Sequence, residues 1–155
     1  MAISTSPSEK VVITPLEGQH AKVRYKAQFN PKELQIDKTV SWTPANAHQE
    51  DPNMEYKEPQ SSQLQCTLYY DTFEEGTDCY LMIKPLEELA QIDETISHPP
   101  LCMFSWGTFN FTGVVSSLSQ KYTMFSSTGA RLRCEVALTM QSASKAMVSV
   151  DPKQS

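Results

Sequence analysis

Three histidines, His20, His48 and His98, and 18 carboxylates supply the acid–base and metal-binding potential of this 155-residue sequence. His98 follows Asp93 and Glu94, so a general base with an orienting carboxylate can be drawn there. Those acids, however, close a predicted helix, where solvated charges are ordinary. His98 and Cys102 would give two ligands of a closed zinc site that needs four, and nothing local supplies the others. Asp71, Glu74, Glu75 and Asp78 form an acidic cluster whose spacing does not match a calcium-binding loop. As a turn leading into a helix N-terminus, which favours negative charge, the cluster needs no ion. There is no nucleophile elbow, no His-Glu-x-x-His and no glycine-rich phosphate loop, and only five glycines occur in all. The residues therefore predict no enzyme, no metal and no cofactor.

Composition narrows the class further. The sequence is 39% hydrophobic and 20% charged with mean hydropathy −0.41, which excludes collagen-like, wholly disordered and helix-spanned membrane chains. Its length fits one domain. A net charge of −5 and pI near 5.2 argue against sequence-independent nucleic-acid binding, which needs a basic surface. Cys66, Cys79, Cys102 and Cys134 form no Cys-x-x-Cys pair and read as buried thiols of a protein folded in a reducing cytoplasm. Residues 1–10 are rich in Ser and Thr and carry no secretory apolar region, so export is expected by lysis or inside an assembly.

Period-two alternation runs through most of the rest, the pattern of half-buried strands. Ala21, Val23, Tyr25, Ala27 and Phe29 alternate with Lys22, Arg24, Lys26 and Gln28. Asn30-Pro31-Lys32 then turns the chain into a second strand carrying Leu34, Ile36, Val40 and Trp42. Residues 43–62 carry Pro44, Pro52 and Pro59 and no apolar row. Such a stretch is either an arm that orders on a partner or plain surface loop. Further strands are predicted at Leu64–Tyr70, Leu101–Trp106, Phe109–Leu118, Lys121–Phe125 and Leu132–Met140, the run at 101–106 being the buried central one. Residues 77–92 switch to helical spacing, with Ile83, Leu86, Leu89 and Ala90 on one face. Pro85 either kinks that helix or starts a second one. The expected fold is mainly β: an antiparallel barrel or sandwich, closed or nearly so, spanning 11–140 with one flanking helix and a loose tail at 141–155.

Two charged rows stand out. Lys22, Arg24 and Lys26 lie on one predicted strand face, and Arg131 and Arg133 on another. On a monomer both are solvated faces, whereas in a ring they would meet acidic turns of a neighbouring copy and fix its register. Trp42 and Trp106 read first as core residues.

Four stretches in this order resemble the tube-like proteins of contractile injection systems, in particular the baseplate component that starts the inner tube. They are Tyr25–Leu34 (YKAQFNPKEL), Leu68–Phe73 (LYYDTF), His98–Gly107 (HPPLCMFSWG), and Phe111–Val115 continuing through Tyr122–Phe125 to Gly129–Cys134. The resemblance implies a barrel of the phage tail-tube type, assembled as a hexameric ring with copies of itself. That ring would join a trimeric VgrG-like spike to the inner tube proteins and touch other baseplate subunits. It implies folding in a bacterial cytoplasm followed by incorporation into an injection particle, with no direct membrane insertion. Many members carry a LysM domain after the barrel; none is expected here, since the sequence stops soon after Met140. Interface residues expected from these motifs are Lys22, Arg24, Lys26, Phe29, Asn30, Pro31, Trp42, Glu50, Asp51, Tyr56, Asp71, His98, Pro99, Pro100, Arg131 and Arg133. Two rivals remain open: an inner-tube or tail-terminating subunit of the same kind of particle, and a monomeric ligand-binding barrel.

Overall fold

The computed structural model describes residues 9–39 and 61–142. Seven strands and one helix follow in chain order: β1 (Val12–Pro15), β2 (Tyr25–Lys26), β3 (Leu34–Thr39), β4 (Ser61–Asp71), α1 (Tyr80–Leu89), β5 (Cys102–Trp106), β6 (Phe109–Phe125) and β7 (Arg131–Ser142). They form a single antiparallel sheet in the order β2-β1-β5-β6-β7-β4-β3. The fold is thus mainly β with one helix.

The core follows from strand alternation. Leu64, Cys66, Leu68 and Tyr70 of β4 sit opposite Met140, Leu138, Val136 and Cys134 of β7, and all eight are buried. Two long strands therefore turn matched apolar rows to the same side. Ile83, Leu86 and Leu89 of α1 cover this side together with Ile13, Phe104 and Val115. Fully burying one side chain of this size contributes about 1.5–3 kcal/mol.

The sheet bends back on itself at one seam. Beyond β2, Ala27 continues the pairing with β1 by donating its amide to Val11, and Phe29 then forms a bridge with Tyr69 of β4. Between them the Gln28 side chain stands in for a strand. Its amide nitrogen donates to the Asp71 carbonyl at 2.9 Å and its oxygen accepts the Asp71 amide at 2.8 Å. The barrel is closed here by one bridge and one side chain rather than by a full ladder.

Several expectations are corrected. The strand predicted over 21–29 is only two residues long, because hydrogen bonds from Ala21 to Gly18, Lys22 to Pro15 and Val23 to His20 coil the preceding segment into turns. Lys22 adopts φ +72° there. The apolar stretch before Thr14 is not idle: it forms β1, which pairs with both β2 and β5. The two strands predicted within 109–125 are one, since bulges after Val115 and Tyr122 absorb the irregular spacing without breaking the ladder. β4 begins at Ser61, three residues before the predicted Leu64, and β7 runs to Ser142, two residues past the predicted Met140. Pro85 lies inside one continuous helix of 10 residues, shorter than the predicted 77–92. β5 lies inside the sheet, yet only Cys102 and Phe104 are buried while Met103, Ser105 and Trp106 are half-buried. Val40, Trp42 and the predicted arm up to residue 60 lie outside the described residues.

Candidate assembly interface

One end of the molecule is organised by Asp93. Its carboxylate accepts the amides of Gln19 and Thr95, both at 2.9 Å, and the Thr95 hydroxyl. These donors, the Thr95 hydroxyl foremost and then the Gln19 amide, hold the carboxyl below its ordinary range. Gly18 has φ +87°, and a Cβ there would stand 2.3 Å from Asp93 Oδ2, so only glycine fits. Nearby, His20 Nε2 lies 3.8 Å from Glu88 Oε1 and His98 Nδ1 lies 3.8 Å from Glu17 Oε2. Glu17 also accepts the Leu101 amide, and Pro100 is buried beneath it. His20, with Glu17 and Glu88, lines a surface cleft of about 350 Å³, whereas His98 does not line it. Among the described residues, no three His, Cys, Asp or Glu side chains converge as a metal site.

The far end of the β6–β7 hairpin carries the arginines. Arg131 grips Asp78 with two nitrogens, at 3.0 and 2.7 Å, and stacks over Tyr80 at 4.5 Å and Tyr122 at 5.4 Å. The Arg131 guanidinium, followed by the Tyr80 amide, pulls the Asp78 carboxyl below its usual value. Tyr80 donates its hydroxyl to Glu87, which also accepts from Gln120, so α1 is tied to β6 and β7 by one polar chain. Arg133 instead meets Asp71 at 3.0 Å and lies over the ring of Phe73. Phe29, Asp71, Arg133 and Phe73 therefore cluster at the barrel seam. Asn30 ties the same segment to the N-terminal side by accepting the Val11 amide and donating to the Glu9 carbonyl, and Pro31 is buried.

The predicted residues consequently form three separate groups. His98, Pro99 and Pro100 lie at the Asp93 end, Phe29, Asp71 and Arg133 at the seam, and Arg131 against the helix. Lys22, Arg24 and Lys26 are all exposed, and no carboxylate among the described residues lies within 4.0 Å of them. Trp42, Glu50, Asp51 and Tyr56 fall outside the described residues. Sequence reading missed Gln28, whose role is visible only once β4 lies beside it. It also missed the Asp78–Arg131 pair, which joins residues 53 positions apart.

Two sheet edges matter most for assembly. β3 pairs with β4 alone, and five of its six residues are exposed, including Ile36 at 38%. On the opposite side, β5 covers only Phe109–Gly113 of β6, leaving the edge of Val114–Phe125 without a strand among the described residues. Open edges offer rows of backbone donors and acceptors to another chain. Between them the outer face of β4 and β7 carries uncharged Gln63, Gln65, Thr67, Ala137 and Thr139 towards one end and the charged Glu135, Asp71 and Arg133 towards the other.

The described residues thus present an antiparallel β-sheet with two uncovered edges. The chain belongs to the contractile injection system tube protein family, whose model matches residues 8–150. Proteins of that family are structural rather than enzymatic, and they oligomerise within injection particles. A comparison with curated proteins found no significant match. No helix among the described residues is long and apolar enough to cross a membrane.

Proposed function

We propose that this tube protein forms a hexameric ring at the baseplate, joins the trimeric spike to the inner tube, and gives tube subunits their first stacking surface. The observation that carries the ring is the pair of open edges on one sheet. β3, β4, β7 and β6 alternate in direction, so β3 of one copy can lie antiparallel to β6 of the next. The two edges differ, which is the heterologous pairing that closed rings require. Main-chain pairing of this kind supplies affinity, while side chains along the edges set register. The position in the particle is supported by the resemblance of the four stretches to tube-initiating baseplate components.

Mechanically, the ring transmits thrust and keeps the channel continuous, with no bond made or broken. The test is a copy count. Particles with tubes of different length are isolated, and this protein is quantified against the tube protein and the spike. A constant six copies per spike trimer is the expected result. A copy number that grows with tube length would make it an inner-tube subunit instead.

A further inference from the structure

Between β2 and α1 lies a cleft of about 250 Å³ that the ring contact does not use. Its floor is apolar, with Met82, Pro85 and Leu86 on the helix side and Tyr25 on the strand side. Arg24 and Lys26 stand at its rim, Lys22 is close by in sequence, and all three are exposed with no carboxylate of the described residues in ion-pair range. Cations unpaired beside an apolar slot call for an acidic segment with an apolar anchor.

The sequence between β3 and β4 has that chemistry. Within 40–60, Glu50, Asp51, Glu55 and Glu58 outnumber Lys57, while Met54 and Tyr56 stand two residues apart, the spacing at which an extended peptide turns two side chains to the same side. Methionine and tyrosine are among the residues that interface cores favour. We infer that residues 50–58 of one copy dock in the β2–α1 cleft of a neighbouring copy, Met54 and Tyr56 entering the slot and the flanking carboxylates meeting Arg24 and Lys26.

Geometry favours the neighbour over the same chain. Thr39 and Ser61 are paired, so both ends of the segment are rooted at one end of β4. The cleft is lined by Leu68 and Tyr70 near the other end of that strand. At about 3.3 Å per residue, root and cleft are roughly 23–30 Å apart, whereas Met54 and Tyr56, seven and five residues before Ser61, reach at most about 25 Å and 18 Å from it. Even a fully extended double-back would leave Tyr56 short of its own cleft. The segment also springs from β3, the edge that the ring reading sets against the next copy, and this inference rests on that reading.

Charge exchange tests it. One full-length variant carries Arg24→Glu and Lys26→Glu, and a second carries Glu55→Lys and Glu58→Lys. Ring formation is followed against concentration by sedimentation and native mass, with circular dichroism and thermal midpoints as fold controls. Each variant alone should need at least about tenfold more protein than wild type to assemble, whereas an equimolar mixture should return to within about threefold, because unlike copies alternate. A chain carrying both exchanges should also assemble. Recovery in that chain but not in the mixture would overturn the inference by placing the segment in its own cleft. Wild-type-like assembly of both single variants would overturn it while leaving the ring intact. A wild-type protein that forms no ring would remove the ring reading and this contact together.

Discussion

Gly113 is the position where one added methyl group should do most damage. It pairs with Cys102 on one side and Ser142 on the other, at the point where β6 leaves β5 and joins β7. A Cβ built there would lie 2.1 Å from the Gln141 carbonyl oxygen and 2.7 Å from its carbon. Both atoms are backbone, so no side chain can swing away. Reaching even 3.0 Å requires the strands to separate by about 1 Å at the junction of the sheet's two halves. Forced repacking of this kind costs about 3 kcal/mol, a fall in Tm of roughly 6–12 °C for a domain of this size. Gly129 is the control: its φ is +92° but nothing lies within 4 Å of an added Cβ, so alanine there incurs only backbone strain, about 1 kcal/mol. Urea and thermal unfolding of Gly113→Ala and Gly129→Ala should rank in that order. A Gly113→Ala protein within about 0.5 kcal/mol of wild type would refute the idea that this crossing is held by contact between backbones.

Other consequences are open to direct measurement. Gln28→Ala removes both bonds to the Asp71 backbone, so hydrogen exchange at Asp71 and Tyr70 should accelerate and stability should fall by about 1–3 kcal/mol; unchanged exchange would mean the seam closes without that side chain. Arg131 holds the Asp78 carboxyl below 3.8, so this pair stabilises the fold above that pH and is lost as pH falls through the lowered value. The urea midpoints of wild type and Arg131→Met should therefore differ at pH 7 and converge towards pH 2, and a constant gap would assign the effect to packing alone. Burial raises the Cys66 and Cys102 thiols to about 12 and Cys134 to about 11, and pushes Cys79 up as well. None of the four should react with an aromatic disulfide reagent at pH 8 until urea unfolds the chain; prompt native-state labelling would show that the core opens locally.

Legibility varied with how local each signal was. The rows of β4 and β7 were plain because strict alternation over eleven and twelve residues records one buried face. The helix was plain from Ile83, Leu86 and Leu89, although its ends were not. Alternation misled at Ala21 and Val23, where long-range capture of Gln19 by Asp93 and the left-handed Gly18 override strand propensity. It was missed at Val12–Pro15, where β-branched residues followed by proline make a short strand that exists only because β5 pairs beside it. The predicted and observed strand counts agree for compensating reasons: β1 was added and two predicted strands merged into β6. At the candidate interface, residue types were readable but grouping was not. Arg131 and Arg133 share a strand face in sequence, yet they serve Asp78 on the helix side and Asp71 at the seam. Open edges leave little trace in one sequence, since β3 alternates much as a covered strand does.

The central claim is that copies join through the β3 edge into a closed six-membered ring. Native mass and negative-stain imaging of wild type and Ile36→Lys test it most directly, because lysine on an exposed edge strand opposes pairing with another sheet while Ile36 contributes little to this core. Six-fold rings for wild type, and a folded monomer of unchanged Tm for Ile36→Lys, are the predicted result. Rings that persist undiminished in Ile36→Lys would contradict the account.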